Sequence, residues 1–321
     1  MSRLFAEKPL KLSKLPSYRA EHFPLAGPYP WLDLPDAEER IAARLSRNEI
    51  TIEQAALCRY WCANGYVILP KAINDDLLDE VWTTYEQAVA CGKIHLDPEP
   101  AGDGDPYPGR FLDPHRKSGI FCRLLKHRSL TEVFSLLLGH PPKALQTITS
   151  HKGSQQGLHS DSIHMTTYPI GYLAAAWVAF EDIHPDSGPL VYYPGSHRLP
   201  YVFSKDVGIS EEEFKSEGYT KYRDNYEPFI RNLVAERGYE AKYFHAGKGD
   251  VLLWHANLVH GGSPRRDLQL SRKAVVCHYY AKGAFVYHDL SASISKKQYM
   301  GTCLLRDSEG NLFGPKGLFG K

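Results

Sequence analysis

The chain has no apolar run long enough to cross a bilayer. Its longest, YLAAAWVAF at 172–180, is less than half of the about 20 residues a spanning helix requires. It has little excess charge either. Thirty-eight Lys and Arg stand against 37 Asp and Glu, a net +1. A field that weak gives neither nucleic acid nor an anionic membrane surface a reason to bind. The six cysteines, at 58, 62, 91, 122, 277 and 303, form no CxxC pair. Cys58 and Cys62 stand four apart on an expected helix and can in principle share a metal. Small buried hydrophobes in a reducing compartment are the expected reading. The opening MSRLFAEKPLKLSKLP lacks the apolar stretch of a secretory signal, so a cytoplasmic protein is expected. Internal repeats and low-complexity linkers are absent too. One domain over residues 1–321 is expected.

What is present is an ordinary globular balance, 43% hydrophobic and 23% charged, enough for a substantial core. Residues 1–35, rich in proline and aromatics, read as an extended arm. Residues 36–140 read as helices and a loop. Pro35 and acidic residues start a helix over 35–48. Thr51 with Gln54 makes a capping box for a second, running to Asn64 and Gly65, and YVILP (66–70) follows as a buried strand. Asn74 caps a third helix striped by Leu77, Leu78, Val81, Trp82 and Tyr85. Residues 93–119, dense in Pro, Gly and Asp, read as a surface connection or a binding lid. As a lid, it turns Arg110, Arg116 and Lys117 toward an anionic substrate group. A short helix, SLTEVFSLLLG, closes this part.

From 141 to 285 the texture changes to strands broken by Gly, Pro and Asp: ALQTITSHK, LHSDSIHM, YLAAAWVAFEDI, PLVYYPGS, YEAKYFHAG, DVLLWHANLVH and SRKAVVCHYYA. Such runs predict an antiparallel sandwich or barrel. A helical insertion, 203–239, interrupts them, with Ser210 and Glu213 as its capping box. Residues 286–321 form a C-terminal tail.

The stretch GLHSDSIHM at 157–165 raises the question of function. On a strand His159 and Asp161 point to one face. Two histidines and one carboxylate on one side of a six-coordinate ferrous ion leave three positions open. HxD alone is a weak signal. GKGDVLLWHANLVHGGS (247–263) supplies further histidines, and Arg272 stands twelve residues past His260. An arginine fork pairs bidentately with a carboxylate, which suits a diacid cosubstrate. The residues alone leave His245, His255, His260 and His278 open as the third ligand. The two glycines after His260 suggest a close backbone approach to something bound.

HxD, then GPLVYYPGSH (188–197), then GDVLLWHANLVHGGS and Arg272, resembles the phytanoyl-CoA dioxygenase family of iron(II)/2-oxoglutarate oxygenases over roughly residues 50–285. The resemblance implies a mostly β fold with helical additions, a double-stranded β-helix (cupin-like jelly roll) core. It implies His159, Asp161 and His260 as iron ligands, and Arg272 as the anchor for the far carboxylate of 2-oxoglutarate, with O2 as the other cosubstrate. Trp177 matches an aromatic position lining the cosubstrate pocket. Relatives often carry Ser or Thr two residues after the distal histidine. Here that place is Gly262, and one inserted residue in the turn hands the role to Ser263. Asp161 separates the chain from related halogenases, which put a small residue there, so hydroxylation with release of succinate and CO2 is expected.

Around this core, Gln146, Ile148 and Ser150 share one strand face, so Gln146 and Ser150 are candidates to reach cosubstrate or substrate. His164, His255 and His197 are candidates to lean over the site, as is Arg110. Tyr192 and Tyr193 point oppositely, so one of them lines the pocket. The expected partner is a small polar or anionic molecule or a carrier-linked acyl group. Two rival readings use the same residues: a cupin-like metal isomerase or hydrolase without 2-oxoglutarate, and a non-catalytic jelly-roll binding module.

Overall fold

The structure, a computed structural model, describes residues 17–23, 27–92, 110–116 and 118–295, with the backbone of 305–306 and 312–313. Its helices start where their capping residues sit. Helix α1 (Ala37–Ser46) precedes α2 (Ile52–Asn64), whose capping box is complete: Thr51 Oγ1 accepts from the Gln54 amide at 3.2 Å, and Gln54 Oε1 accepts from the Thr51 amide at 2.9 Å. Gly65 ends α2 at φ +74°, and a Cβ there would overlap the His197 ring. Strand β1 (Tyr66–Leu69) follows directly, then α3 (Asp75–Ala90), capped by Asn74 through its bond from the Leu77 amide and burying all five expected stripe residues. After β2 (Arg110–Leu112) come α4 (Gly119–Leu125) and α5 (Arg128–Leu138). Helix α4 begins at the last residue of the segment read as loop, and it was not anticipated.

Up to residue 295 the remaining strands are β3 (Pro142–Ser150), β4 (Thr166–Tyr168), β5 (Leu173–Ala179), β6 (Leu190–Tyr192), β7 (Lys242–Tyr243), β8 (Val251–His255), β9 (His260–Gly262), β10 (Ala274–Ala281), β11 (Phe285–His288) and β12 (Ser293–Ile294). The large sheet runs β1-β8-β5-β10-β3-β2, every pair antiparallel. Two three-stranded sheets, β7-β6-β9 and β12-β11-β4, complete the framework. This is the jelly roll expected from the motifs. The domain boundary drawn at 285 cuts a strand: β11 pairs with β4, so the framework extends into the segment read as tail.

Strand β5 shows why its sequence is apolar without alternation. Ala174, Ala176 and Val178 pack into the core formed with the N-terminal helices, while Ala175, Trp177 and Ala179 pack inward with Leu190, Tyr192 and Trp254. A central strand covered on both faces has no solvent side on which to place polar residues. The inner layer holds the site.

Two expected strands are broken. LHSDSIHM contributes only a bridge at His159 before a 3-10 turn, Asp161–Ile163. DVLLWHANLVH divides into β8 and β9 around Asn257, whose amide caps the carbonyls of His197 and Leu199. The insertion forms α6 (Glu211–Glu217), with both Ser210–Glu213 capping bonds present, a π-helical turn at Tyr222–Tyr226, and α7 (Glu227–Glu236). Tyr222, Tyr226, Ile230 and Val234 bury themselves against Ile163, Val259 and Leu290, so the insertion is seated on the residues flanking HxD and His260.

Candidate metal centre

His159, Asp161 and His260 are the one group of three His, Cys, Asp or Glu side chains among the described residues whose donor atoms all lie within 4.8 Å of one another. All three are buried. Strand alternation does not bring them together, contrary to expectation. His159 and His260 face each other across reciprocal backbone hydrogen bonds, each 2.9 Å, and the 3-10 turn carries the Asp161 carboxylate back toward them. Asp161 Oδ1 lies 3.9 Å from His159 Nε2 and 3.7 Å from His260 Nε2.

Hydrogen bonding fixes which imidazole nitrogens face this gap. His159 Nδ1 donates to the Gly157 carbonyl at 2.9 Å, and His260 Nδ1 donates to the Leu258 carbonyl at 3.0 Å. A carbonyl only accepts, so each Nδ1 carries a proton and each Nε2 is the nitrogen turned toward Asp161. The donor set therefore fits a divalent metal: two imidazole Nε2 atoms and a carboxylate, pre-aimed. Burial and the neighbouring His260 push His159 down to about 3. Burial alone would raise Asp161, but the positive charge that His260, His278 and His159 can carry, with a hydrogen bond from His278, outweighs it and holds the carboxyl well below its ordinary range. Both side chains are in ligand form at neutral pH.

Asp161 is held from behind. Trp254 Nε1 donates to its Oδ2 at 2.8 Å, and His278 Nε2 stands 3.5 Å from the same oxygen. That leaves Oδ1 on the histidine side. The sequence reading singled out neither as a partner of Asp161, though alternation holds the signal. Trp254 shares the inward face with Leu252, so its neighbour His255 must point away.

Four expected site residues, His255, His197, Tyr192 and Arg116, lie elsewhere. His255 contacts Asp33 Oδ2 at 3.1 Å and His197 lies beside it, ring centroids 5.7 Å apart, on the far side of β8 from the triad. Burial and His255 lower His197 to about 3. Tyr192 packs edge-on against Tyr66 at 4.7 Å instead of lining the cavity. Arg116 does not face a substrate: it is mostly buried, 3.5 Å from Asp113 and bonded to the Leu145 carbonyl. Lys117 lies outside the described residues. Cys58 and Cys62 belong to no metal cluster, and burial raises their thiols to about 12 and about 11.

Beside the triad is a cavity of about 70 Å³ whose walls include Arg110, Ser150, Gln156, Trp177, Leu190 and Arg272. Arg272 is 3% exposed, with its guanidinium 5.5 Å from the Trp177 ring and Nη1 donating to the Gly188 carbonyl at 3.1 Å. Ile148 and Ser150 line the cavity, so that face of β3 points inward, but Gln146 is not part of the wall. Ser263 is not part of it either: its hydroxyl donates to the Pro189 carbonyl at 2.7 Å, beside the carbonyl held by Arg272. The two side chains brace one turn. Gln156 was missed; its Nε2 lies 3.2 Å from His159 Nε2, and its Oε1 accepts from Arg110 at 2.9 Å. The close approach signalled by Gly261 and Gly262 is to the chain itself. A Cβ on Gly261 would come 2.9 Å from the Gln156 carbonyl, and one on Gly262 would come 2.6 Å from the Gln155 amide.

The comparisons with known proteins agree with this geometry. The phytanoyl-CoA dioxygenase (PhyH) family model matches residues 61–274. The peroxisomal phytanoyl-CoA dioxygenase of Homo sapiens is 29% identical over 261 residues, covering 73% of this chain and 70% of the relative. Among solved structures, EctD from S. alaskensis superposes with a TM-score of 0.56 at 20% identity, covering 76% of this chain and 81% of that one. SnoK, a non-heme alpha ketoglutarate dependent carbocyclase from nogalamycin biosynthesis, gives 0.56 at 17% identity over 74% and 87% of the two chains.

Proposed function

The chain belongs to the phytanoyl-CoA dioxygenase family and is an iron(II)- and 2-oxoglutarate-dependent oxygenase; from that premise we propose that it hydroxylates an unactivated C–H bond of a small molecule at the triad. The observation that carries the reading is the convergence of two imidazole Nε2 atoms on Asp161 Oδ1 beside a buried arginine.

His159, Asp161 and His260, which border the cavity, would hold the iron. When bound, iron and 2-oxoglutarate supply the oxidising chemistry: O2 and the oxo acid are converted to succinate and CO2 as one oxygen atom enters the substrate. Arg272 receives the far carboxylate of the cosubstrate, its planar fork matching both oxygens. Trp177 walls that end, and the Gly188–Pro189 turn fixes the guanidinium. Trp254 and His278 keep the Asp161 carboxylate oriented, and burial of all these groups keeps water out. An isomerase or hydrolase working without an oxo acid has no use for Arg272 in the cavity wall, and the reading disfavours it on that ground.

Arg110, in the cavity wall, and His164, with its ring 5.8 Å from that of His159, are assigned to the substrate. Five free thiols among the described residues fit a reducing, cytoplasmic setting, and no described helix is long and apolar enough to cross a membrane. Anaerobic addition of Fe(II) and then 2-oxoglutarate tests the function. A weak visible metal-to-cosubstrate band is expected, followed by substrate-triggered succinate release in air. Folded protein that binds Fe(II) but develops no band contradicts the reading.

A further inference from the structure

Between the triad and the helical insertion two polar atoms are shut from solvent and lack a partner at full hydrogen-bond geometry among the described residues: His164 Nε2 and the Tyr222 hydroxyl. Their rings lie 4.9 Å apart, and the His164 ring is 5.8 Å from that of His159. The Gln156 side chain is the one group near enough to act on the Tyr222 hydroxyl as a hydrogen-bonding partner, and it falls short of full hydrogen-bond geometry. A buried donor without a partner has lost its water for nothing, at about 1–3 kcal/mol each. Native structures keep few such atoms, and those they keep ask for a reason.

The backbone that presents Tyr222 is unusual as well. Tyr222–Tyr226 is a π-helical turn, a form that is rare and concentrates at functional sites. Its far end is tied to the metal ligands: the Tyr226 hydroxyl lies 3.2 Å from Ser160 Oγ and accepts from the Ser160 amide at 3.4 Å, between His159 and Asp161 in sequence. Tyr226 also stacks on Tyr222, centroids 5.1 Å apart and planes 19° from parallel. The turn is thereby registered against HxD.

Charge reaches the same region through Arg110. Its guanidinium lines the cavity, donates to Gln156, and acts electrostatically on His164, Tyr219 and Glu227. Glu227, first residue of α7, lays its carboxylate against Gly157, where a Cβ would overlap it.

We propose that His164, Tyr222 and Arg110 form the anchoring subsite for the substrate, and that the group they hold is a carboxylate. This rests on the oxygenase reading above. A carboxylate offers two oxygens and several lone pairs, enough to accept from the His164 N–H, the Tyr222 O–H and the guanidinium together. A phosphate dianion brings two charges into the field of the nearby Glu227 carboxylate, so a monocarboxylate is the better match. With His164 next to His159, the carbon that is oxidised lies within a few bonds of the acid group, not at the end of a long chain.

The test uses the protein loaded anaerobically with Fe(II) and 2-oxoglutarate. Its visible band reports the metal–cosubstrate complex before any substrate is added. Small monocarboxylates, aliphatic, hydroxylated and aromatic, are titrated beside their primary amides and phosphate-bearing counterparts, following the band and the heat of binding. At least one monocarboxylate is expected to shift the band and to bind about tenfold tighter than its amide. Tyr222→Phe and His164→Ala should each weaken that acid about tenfold while the band itself persists. Should His164→Ala fail to fold, Tyr222→Phe, which keeps the ring, decides alone. Absence of the band in the unmodified protein overturns the oxygenase reading and the subsite with it. With the band present, indifference to every carboxylate, preference for the amide or phosphate partner, or unchanged affinity in Tyr222→Phe overturns the subsite alone.

Discussion

Replacing Trp254 with Phe isolates the contribution of one hydrogen bond to the metal site. The substitution keeps a buried ring but removes the only side-chain donor of residue 254, Nε1, now 2.8 Å from Asp161 Oδ2. A hydrogen bond to a charged group contributes about 1.5–3 kcal/mol. Losing it leaves that oxygen with His278 Nε2 at 3.5 Å, and the carboxylate is free to rotate Oδ1 away from His159 and His260. Partners that orient metal ligands typically carry about 10- to 100-fold in metal affinity, or about 1.4–2.8 kcal/mol. Fe(II) or Co(II) affinity, measured anaerobically by competition with a chelating dye, should fall within that range. Shrinking a buried Trp also leaves a void, so urea unfolding of the metal-free protein should be easier too. Trp61→Phe separates the two effects, since Trp61 is equally buried but packs against His255, away from the triad. That variant should lose stability and keep its metal affinity. Equal metal affinity in Trp254→Phe and the unmodified protein would refute the orienting role.

Arg272→Lys should weaken 2-oxoglutarate by about tenfold or more, because an ammonium cannot reproduce the two-pronged contact, while Fe(II) affinity stays within twofold; isothermal titration with each ligand distinguishes them. The metal-free protein should lose stability as pH falls below 6.5. His159 and His197 are depressed from 6.5 to about 3, so the unfolded chain binds their protons first, at about 1.4 kcal/mol per pH unit for each group. Urea midpoints that stay level from pH 7 to pH 5 would contradict this. Gly262→Ala should destabilise by about 1–3 kcal/mol, since its Cβ meets backbone at Gln155, and an unchanged unfolding midpoint would count against that packing.

How much of this was legible in the sequence depended on how local the signal was. Capping residues worked because the bond spans three positions: Thr51, Asn74 and Ser210 all start the helices assigned to them. The triad was legible as a motif but not as geometry, since a bridge and a 3-10 turn, not a strand, deliver Asp161. Gln156 and the π turn carried no spacing that marks them. Their roles arise only when the 154–157 loop and the insertion fold over His159. His255 and His197 are expected near the site from the family resemblance, which does not say on which side of β8 they lie. Period-two alternation sends His255 to Asp33 instead. Arg116 was drawn inward by Asp113 and the Leu145 carbonyl, partners that no composition argument identifies.

The most direct test is a crystal structure of the protein soaked without oxygen in Fe(II) and 2-oxoglutarate. A single ion bound by His159 Nε2, Asp161 and His260 Nε2, with the far carboxylate of the cosubstrate on Arg272, is the predicted result. An ion seated elsewhere, or a cosubstrate that leaves Arg272 untouched, would contradict the account.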